Sequence, residues 1–423
     1  MKFIYLLFLI AVELFASMMS EAVSLYQHEN YIQAYERFYL LHVKHKEDRL
    51  VTLYLAKSLY NLGEYEEAEK ILLSLYEKEK TDNEVKFFLA KVLYEEKQYK
   101  KAKEMFAKIK NTPYEVQSKE YVAKIDEMTA LHKYFFLVSL GMTYDDNIRN
   151  NTFEPTTTHG SLILSNDTYA VSDTFFEKML YAMHKYKIPG HAALSWDDTI
   201  LLYHRNGLKY TDQNMFYSSL SSGLNIRKNG FVLEPKILLS DLRYASKHYM
   251  YSYGVGIKMS KYIVTNVLQV GLNIVLKKEK FIQKEDKTKD DNIVFCKVKL
   301  LHTMTTNDIF QYSVAFQKFR KEFGNRVDIS RNEQIYEFQY RRKLPIESML
   351  TLQTKYEKRK FTEDDVSLGN REDTRRFYTG SLSKRFQKVY DISLKYVYLN
   401  NSSSISAYSY KKSTVNLALS RYF

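Results

Sequence analysis

Hydrophobic and polar positions alternate through the C-terminal two-thirds of the chain. In one stretch Leu268, Val270, Leu272, Ile274 and Leu276 interleave with Gln269, Gly271 and Asn273. In another, Tyr390, Ile392, Leu394, Tyr396 and Tyr398 interleave with Asp391, Ser393 and Lys395. A period of two puts each set on its own face of a strand. The pattern predicts fourteen strands over residues 134–423, with the first at 134–146, the third at 191–204 and the last at 406–423. That many apolar faces would aggregate on an open soluble sheet. Closed into a barrel, they face lipid while polar partners line a wet interior.

The connections alternate in length. Pro189-Gly190, Asn229-Gly230, Thr265-Asn266, Asn307-Asp308, Leu344-Pro345 and Gln387-Lys388 read as tight turns. Ile148 to Val171, Phe281 to Asn292, Gly324 to Asn332 and Phe361 to Thr374 are longer, polar and charged. Transmembrane barrels have short periplasmic turns and longer outer loops, so strand one starts on the periplasmic side. Pro235 is a misfit, because it removes a ladder donor from a sheet without edges, and a bulge or a later strand start is expected there. Ser219, Ser221, Gly223, Ser252, Gly254 and Gly256 fall on the inward face and either leave space or admit a plug. Val415, Leu417, Leu419 and Phe423 share the other face of the last strand. This series resembles the signal read by the outer-membrane barrel assembly machinery, with Arg421 departing from it.

The first third has a different period. Ala22, Ala56 and Ala90 recur at 34 residues, as do Leu25, Leu59 and Leu93, and Tyr26, Tyr60 and Tyr94. Tyr31, Tyr65 and Tyr99, then Ala34, Ala68 and Ala102, then Phe38, Leu72 and Phe106 follow the same spacing. This resembles the tetratricopeptide (TPR) repeat, with three repeats over residues 20–113 and a capping helix at 115–133. The fold class is thus a helical solenoid at 20–133 followed by a barrel at 134–423. The resemblance implies a groove for an extended partner segment, lined by Tyr26, Lys57, Tyr60, Phe87, Lys91 and Tyr94. The alternative is that the tyrosines only pack between helices. Ahead of the repeats, Met1-Lys2 and the apolar run Phe3 to Val12 precede Ala16 and Ser17. The run is too short to span a bilayer and reads as a signal peptide over residues 1–19.

Composition sharpens the class. The net charge of +13 sits almost wholly in the C-terminal part, spread over many strands and loops. That spread does not make a nucleic-acid surface. It suits contact with outer-membrane lipid and lipopolysaccharide phosphates, or an anion-favouring lumen. The single cysteine, Cys296, lies in a lipid-facing register and cannot form an internal disulfide. No metal-ligand spacing and no cofactor motif is present. Gly254-Val-Gly256 lacks the third glycine and the helix of a dinucleotide site. Ser381-Leu-Ser-Lys384 sits on a strand, and Asp197, Asp198 and His204 lie along another, so the chain does not read as an enzyme.

The first strand carries Gly141-Met-Thr-Tyr144-Asp145-Asp146-Asn147-Ile148. With the repeats and the barrel, this resembles the barrel opening of the surface lipoprotein assembly modulators, the Slam proteins. The resemblance implies a translocator: the repeats take a client, a surface lipoprotein, from the periplasm, and the barrel delivers it to the surface. Two other functions stay open at this level. One is an exopolysaccharide exporter whose repeats dock an enzyme; the other is a passive anion-preferring porin.

Overall fold

The computed structural model describes all residues except 1, 154–155, 160–161, 166–169 and 364–368. The chain forms two compact units, Met1–Ala130 and Leu131–Phe423. The first contains helices α1 (Lys2–Gln27), α2 (Tyr31–Lys44), α3 (Arg49–Leu62), α4 (Tyr65–Lys78), α5 (Asn83–Glu95), α6 (Tyr99–Ala107) and α7 (Glu115–Thr129). The repeats are the pairs α1/α2, α3/α4 and α5/α6, and α1 runs unbroken from the apolar N-terminal stretch into the first of them. The 34-residue period has a direct packing cause. Ala22, Ala34, Ala56, Ala68, Ala90 and Ala102 are all fully buried, where a larger side chain would push paired helices apart. Phe38, Leu72 and Phe106 fill the repeating core position between them. Asp48 and Asp82 cap α3 and α5 by accepting from the Val51 and Glu84 amides, each at 3.0 Å. Gly63, at φ 86°, ends α3 in the left-handed region. No described helix is long and apolar enough to cross a membrane.

The second unit is built from strands joined by turns and loops. It contains β1 (His132–Asp145), β2 (Thr156–His159), β3 (Leu162–Ser165), β4 (Asp173–Lys187), β5 (Leu194–Gly207), β6 (Met215–Lys228), β7 (Phe231–Tyr244) and β8 (Lys247–Val264). These are followed by β9 (Leu268–Phe281), β10 (Asp291–Thr303), β11 (Asp308–Lys321), β12 (Arg331–Leu344), β13 (Ser348–Phe361), β14 (Glu372–Phe386), β15 (Tyr390–Ser403) and β16 (Tyr410–Tyr422). Strands β1 and β4–β16 form a closed barrel in which neighbours are antiparallel and β1 also pairs with β16. This is the expected fourteen-stranded barrel. Two details differ. A small hairpin, β2–β3, lies within the first long connection. The last strand starts at Tyr410, not 406, because Ser406–Tyr408 makes a helical turn.

The tight turns mostly fall where dipeptide chemistry puts them. Asn229 and Gly230 take φ 49° and 74°, and Gln387 and Lys388 take 50° and 61°. Paired positive φ values match the right-handed twist of a hairpin. Leu344-Pro345 is a correction: the positive φ values fall on Ile346 and Glu347 instead. The proline ring fixes φ near −65°, so the turn must form after it.

Outward positions carry the apolar belt. Leu394, Leu417 and Val298 are each at least half exposed, beside Tyr253, Tyr312 and Tyr378. Cys296 shares the outward face of β10 with Val294 and Val298. Inward positions carry charge-paired polar groups. Glu333 accepts from Arg331 at 2.7 Å and forms an ion pair with Arg359 at 3.0 Å, Glu337 pairs with Lys297 at 2.9 Å, and Glu357 with Lys355 at 2.8 Å. At the long-loop end the inward face turns aromatic. Phe175, Phe281, Phe319 and Phe361 are buried there. Arg205, Lys289, Arg331 and Arg371 lie over their rings at 4.3, 5.8, 3.6 and 4.5 Å. Such contacts hold each cation in a poorly solvated place on the inner wall. The expected small inward positions leave a cavity of about 410 Å³ lined by Ser219, Ser221, Ser240, Ser252, Val275 and Phe295.

Candidate functional site

The helical unit presents a strip in which cations lie on aromatic rings. Lys57 is buried, its Nζ donating to Glu84 Oε1 at 2.5 Å and lying over Tyr54 and Phe88 at 4.5 and 4.6 Å. Lys91, one repeat on, lies over Tyr60 at 4.3 Å and Phe88 at 5.2 Å. It has no ion-pair partner among the described residues. Burial pulls the Lys91 ammonium below the ordinary lysine range, and neighbouring Lys57 pulls it the same way, against Glu95. Burial pushes the Glu84 carboxyl up, but the hydrogen bond and charge of Lys57 outweigh it and hold Glu84 low. Burial, with Glu84 adjacent, pushes Tyr114 up to about 12.

Of the six residues expected to line a groove, the strip keeps four at an accessible face. Tyr26 packs edge-on against Tyr54 at 5.3 Å and accepts from Asn61 at 3.0 Å. Tyr60 and Lys91 stack on each other, and Tyr94 packs edge-on against Tyr121 at 5.1 Å. Phe87 is a correction. It is 3 % exposed and stacks on Tyr114 at 4.9 Å, because it sits at the crossing of α5 with α6 and α7. Lys57 is a second correction, since Glu84 neutralises it below the surface. Sequence reasoning missed Tyr54, Phe88 and Glu84. Tyr54 and Phe88 are 34 residues apart, so the repeat period held that signal; nothing in the sequence marks Glu84 as the partner of Lys57.

The barrel-opening motif folds into the seam where the barrel closes. The β1–β16 ladder, Leu137–Asp145 against Thr414–Tyr422, is the shortest in the barrel. Its long-loop end is clamped by the motif. Asp145 pairs with Lys412 at 2.7 Å and accepts from the Asn147 amide at 3.0 Å. Asp146 accepts from the Ser413 amide at 2.7 Å. Asn147, fully buried, donates to the carbonyls of Lys411 at 2.9 Å and Asn151 at 2.6 Å and accepts from the Asn151 amide. Gly141 leaves room for Asn416, whose Nδ2 reaches Thr143 at 2.7 Å and Glu177 at 3.0 Å. Tyr144 points outward and is exposed. At the other end Phe423 and Phe136 exchange backbone hydrogen bonds at 2.9 and 3.3 Å. The motif's geometry is therefore that of a closure clamp.

The other constellations come apart. Asp197 faces inward and accepts from Asn225 at 2.8 Å, whereas Asp198 faces outward and accepts from Trp196 at 2.9 Å. Ser381 and Lys384 likewise lie on opposite faces of β14. A period of two separates what the sequence lists together.

The model of the surface lipoprotein assembly modifier family matches residues 201–423, from β5 to the last strand. The chain belongs to the surface lipoprotein assembly modifier family. None of the curated proteins matches this family member. Among solved structures, a Pseudomonas aeruginosa FadL homologue is similar to the barrel, with 8% identity and TM-score 0.40, covering 69% of this chain and 90% of that one. The outer membrane channel DcaP of Acinetobacter baumannii has 10% identity and TM-score 0.40, with 69% and 97% covered. The Yersinia enterocolitica type III secretion chaperone SycD, in complex with a peptide of the translocator YopD, is similar to the helical unit. It has 18% identity and TM-score 0.26, with 27% and 95% covered. The family and the barrel give this assembly modifier a role in exposing lipoproteins at the cell surface.

Proposed function

We propose that this family member is an outer-membrane translocator. Residues 1–19 direct export, the helical repeats receive a client in the periplasm, and the barrel delivers it to the surface. The client class is a surface lipoprotein. The observation that carries this reading is the family match over a closed barrel that is apolar outside and charged inside. β1 begins at the short-turn end, which supports placing the repeats on the periplasmic side. The strip of Tyr26, Tyr60, Lys91 and Tyr94 supplies aromatic faces and one unpaired cation for an extended segment. The helical repeats argue against a porin, because a passive pore needs no docking module.

Copurification tests the docking step. Wild-type protein extracted in detergent is expected to carry a client lipoprotein, and Lys91→Glu to retain about tenfold less or lower still. Equal recovery of the client with the variant would remove the strip from the account.

A further inference from the structure

Outward-facing cations gather on one side of the barrel at its long-loop rim. Lys278 on β9, Lys318 and Arg320 on β11, Lys358 and Lys360 on β13, and Arg376 on β14 share the outward register. Asn292 and Asn332 fill the strands between them: Asn292 pairs with Lys278 and Arg320, and Asn332 with Lys318 and Lys360. Neighbouring strands lie about 4.8 Å apart, so these cations recur at roughly 10 Å along the rim. Two carboxylates answer them. Glu322 lies 3.6 Å from Lys278, and Glu372 lies 3.5 and 3.2 Å from Lys358 and Lys360. Arg320 gives one donor to Asn332 and one to the Phe319 carbonyl and keeps its others. Lys318 and Arg376 have no ion-pair partner among the described residues, and both are exposed. The patch therefore keeps an excess of positive charge.

The row beneath it is apolar. Leu276, Val294, Phe316, Tyr356 and Tyr378 occupy the outward positions next toward the middle on β9, β10, β11, β13 and β14, all exposed, and on β12 the exposed Gln334 precedes Tyr336. The arrangement is one-sided. On β7, at the same rim, Arg243 is 3.6 Å from Asp241, which also pairs with His248. At the short-turn rim the outward cations are fewer: Lys228 and Lys261 flank Phe231, Arg342 lies 3.9 Å from Asp308, and Lys384 lies on β14. A dense cationic row directly above exposed apolar side chains matches an amphiphile with several phosphates over acyl chains.

We infer that the rim of β9–β14 binds a phosphorylated glycolipid of the outer leaflet, its phosphates on Lys318, Arg320, Lys358, Lys360 and Arg376 and its chains against Phe316 and Tyr336. This rests on the orientation proposed above, in which the long loops face outward. The binding would anchor one wall of the barrel in the outer leaflet.

Full-length protein in detergent provides the test, with lipid binding read by native mass spectrometry. The probes are diphosphoryl lipid A, dephosphorylated lipid A, phosphatidylglycerol and inorganic phosphate. Diphosphoryl lipid A is expected to bind best and to weaken as salt rises. The quadruple variant K318Q/R320Q/K358Q/K360Q should lose about tenfold in that affinity, since several charge-assisted contacts go together. The variant K261Q/K384Q should lose none, and heat-modifiable gel mobility confirms that each variant is a folded barrel. Equal binding of dephosphorylated lipid A, or an unchanged quadruple variant, overturns the inference. Equal loss of phosphatidylglycerol binding, or competition by inorganic phosphate alone, overturns the glycolipid assignment. Orientation is read separately. In a Cys296→Ser background, Glu285→Cys should react with an impermeant maleimide on intact cells, and Lys388→Cys should not. The reverse labelling would sink the orientation while leaving the detergent binding measurement intact.

Discussion

Gly223 and Pro235 accommodate one another across β6 and β7. Pro235 has no amide hydrogen, and the ladder shows no pairs between Leu224-Asn225 and Glu234-Pro235. The register is the same on either side, so no bulge forms. Asn225 turns its side chain to Asp197 and Glu234 instead, at 2.8 and 3.3 Å. The Pro235 carbonyl lies where a side chain on Gly223 would begin, 2.1 Å from an added Cβ. Gly223→Ala must therefore shift backbone, and it should lower the fraction of protein that shows folded, heat-modifiable mobility. Undiminished folding would show that the strands can part cheaply there. Pro235 is legible in the sequence as a problem, because its missing donor is a property of one residue. Its solution is not, since it depends on which residue of the neighbouring strand lies opposite.

Single elements carry the two-faced character of the barrel. On β15, Leu394 faces out and Ser393 faces in. An arginine on the lipid face costs roughly 2–4 kcal/mol near the bilayer midplane, while one in the lumen meets water and charge. Leu394→Arg should lower the unfolding free energy of the barrel in lipid by up to that amount, and Ser393→Arg should leave it nearly unchanged; similar effects would deny the inside–outside assignment. The helical elements answer to pH. Glu84 is held below its ordinary range, so its stabilisation is complete above that range and is lost as pH falls through it. Helical circular dichroism under urea should show the unit weakening in acid. Glu84→Gln should flatten that slope and cost about 3 kcal/mol at neutral pH, because it strands the buried Lys57. A slope unaltered by the variant would place the titration elsewhere. The strands were readable because a period of two is written in side-chain polarity alone. The β2–β3 hairpin was not, since four-residue strands inside a polar loop give too few alternations. The groove was half readable: the repeat period marks Lys91 and Tyr60, but burial of Phe87 and the Lys57–Glu84 pair arises only where α5 crosses its neighbours.

At the scale of the molecule, the sequence opening of the barrel and its last strand meet in one clamp. Asp145, Asp146 and Asn147 fasten β1 to Lys411, Lys412 and Ser413 across more than 260 residues of chain. The motif was legible as a family resemblance, while its closure role required the register of the two strands. The clamp fastens the seam at its long-loop end, beside an inner wall lined by buried phenylalanines. Display of the client is the direct measurement. Cells lacking this protein are treated intact with protease, and the surface lipoprotein pool is compared with that of cells re-expressing the whole chain. Lipoproteins that are cleaved in the complemented cells should be protected in the deletion strain and remain protected with Lys91→Glu. Identical cleavage patterns with and without the protein would contradict the translocator reading outright.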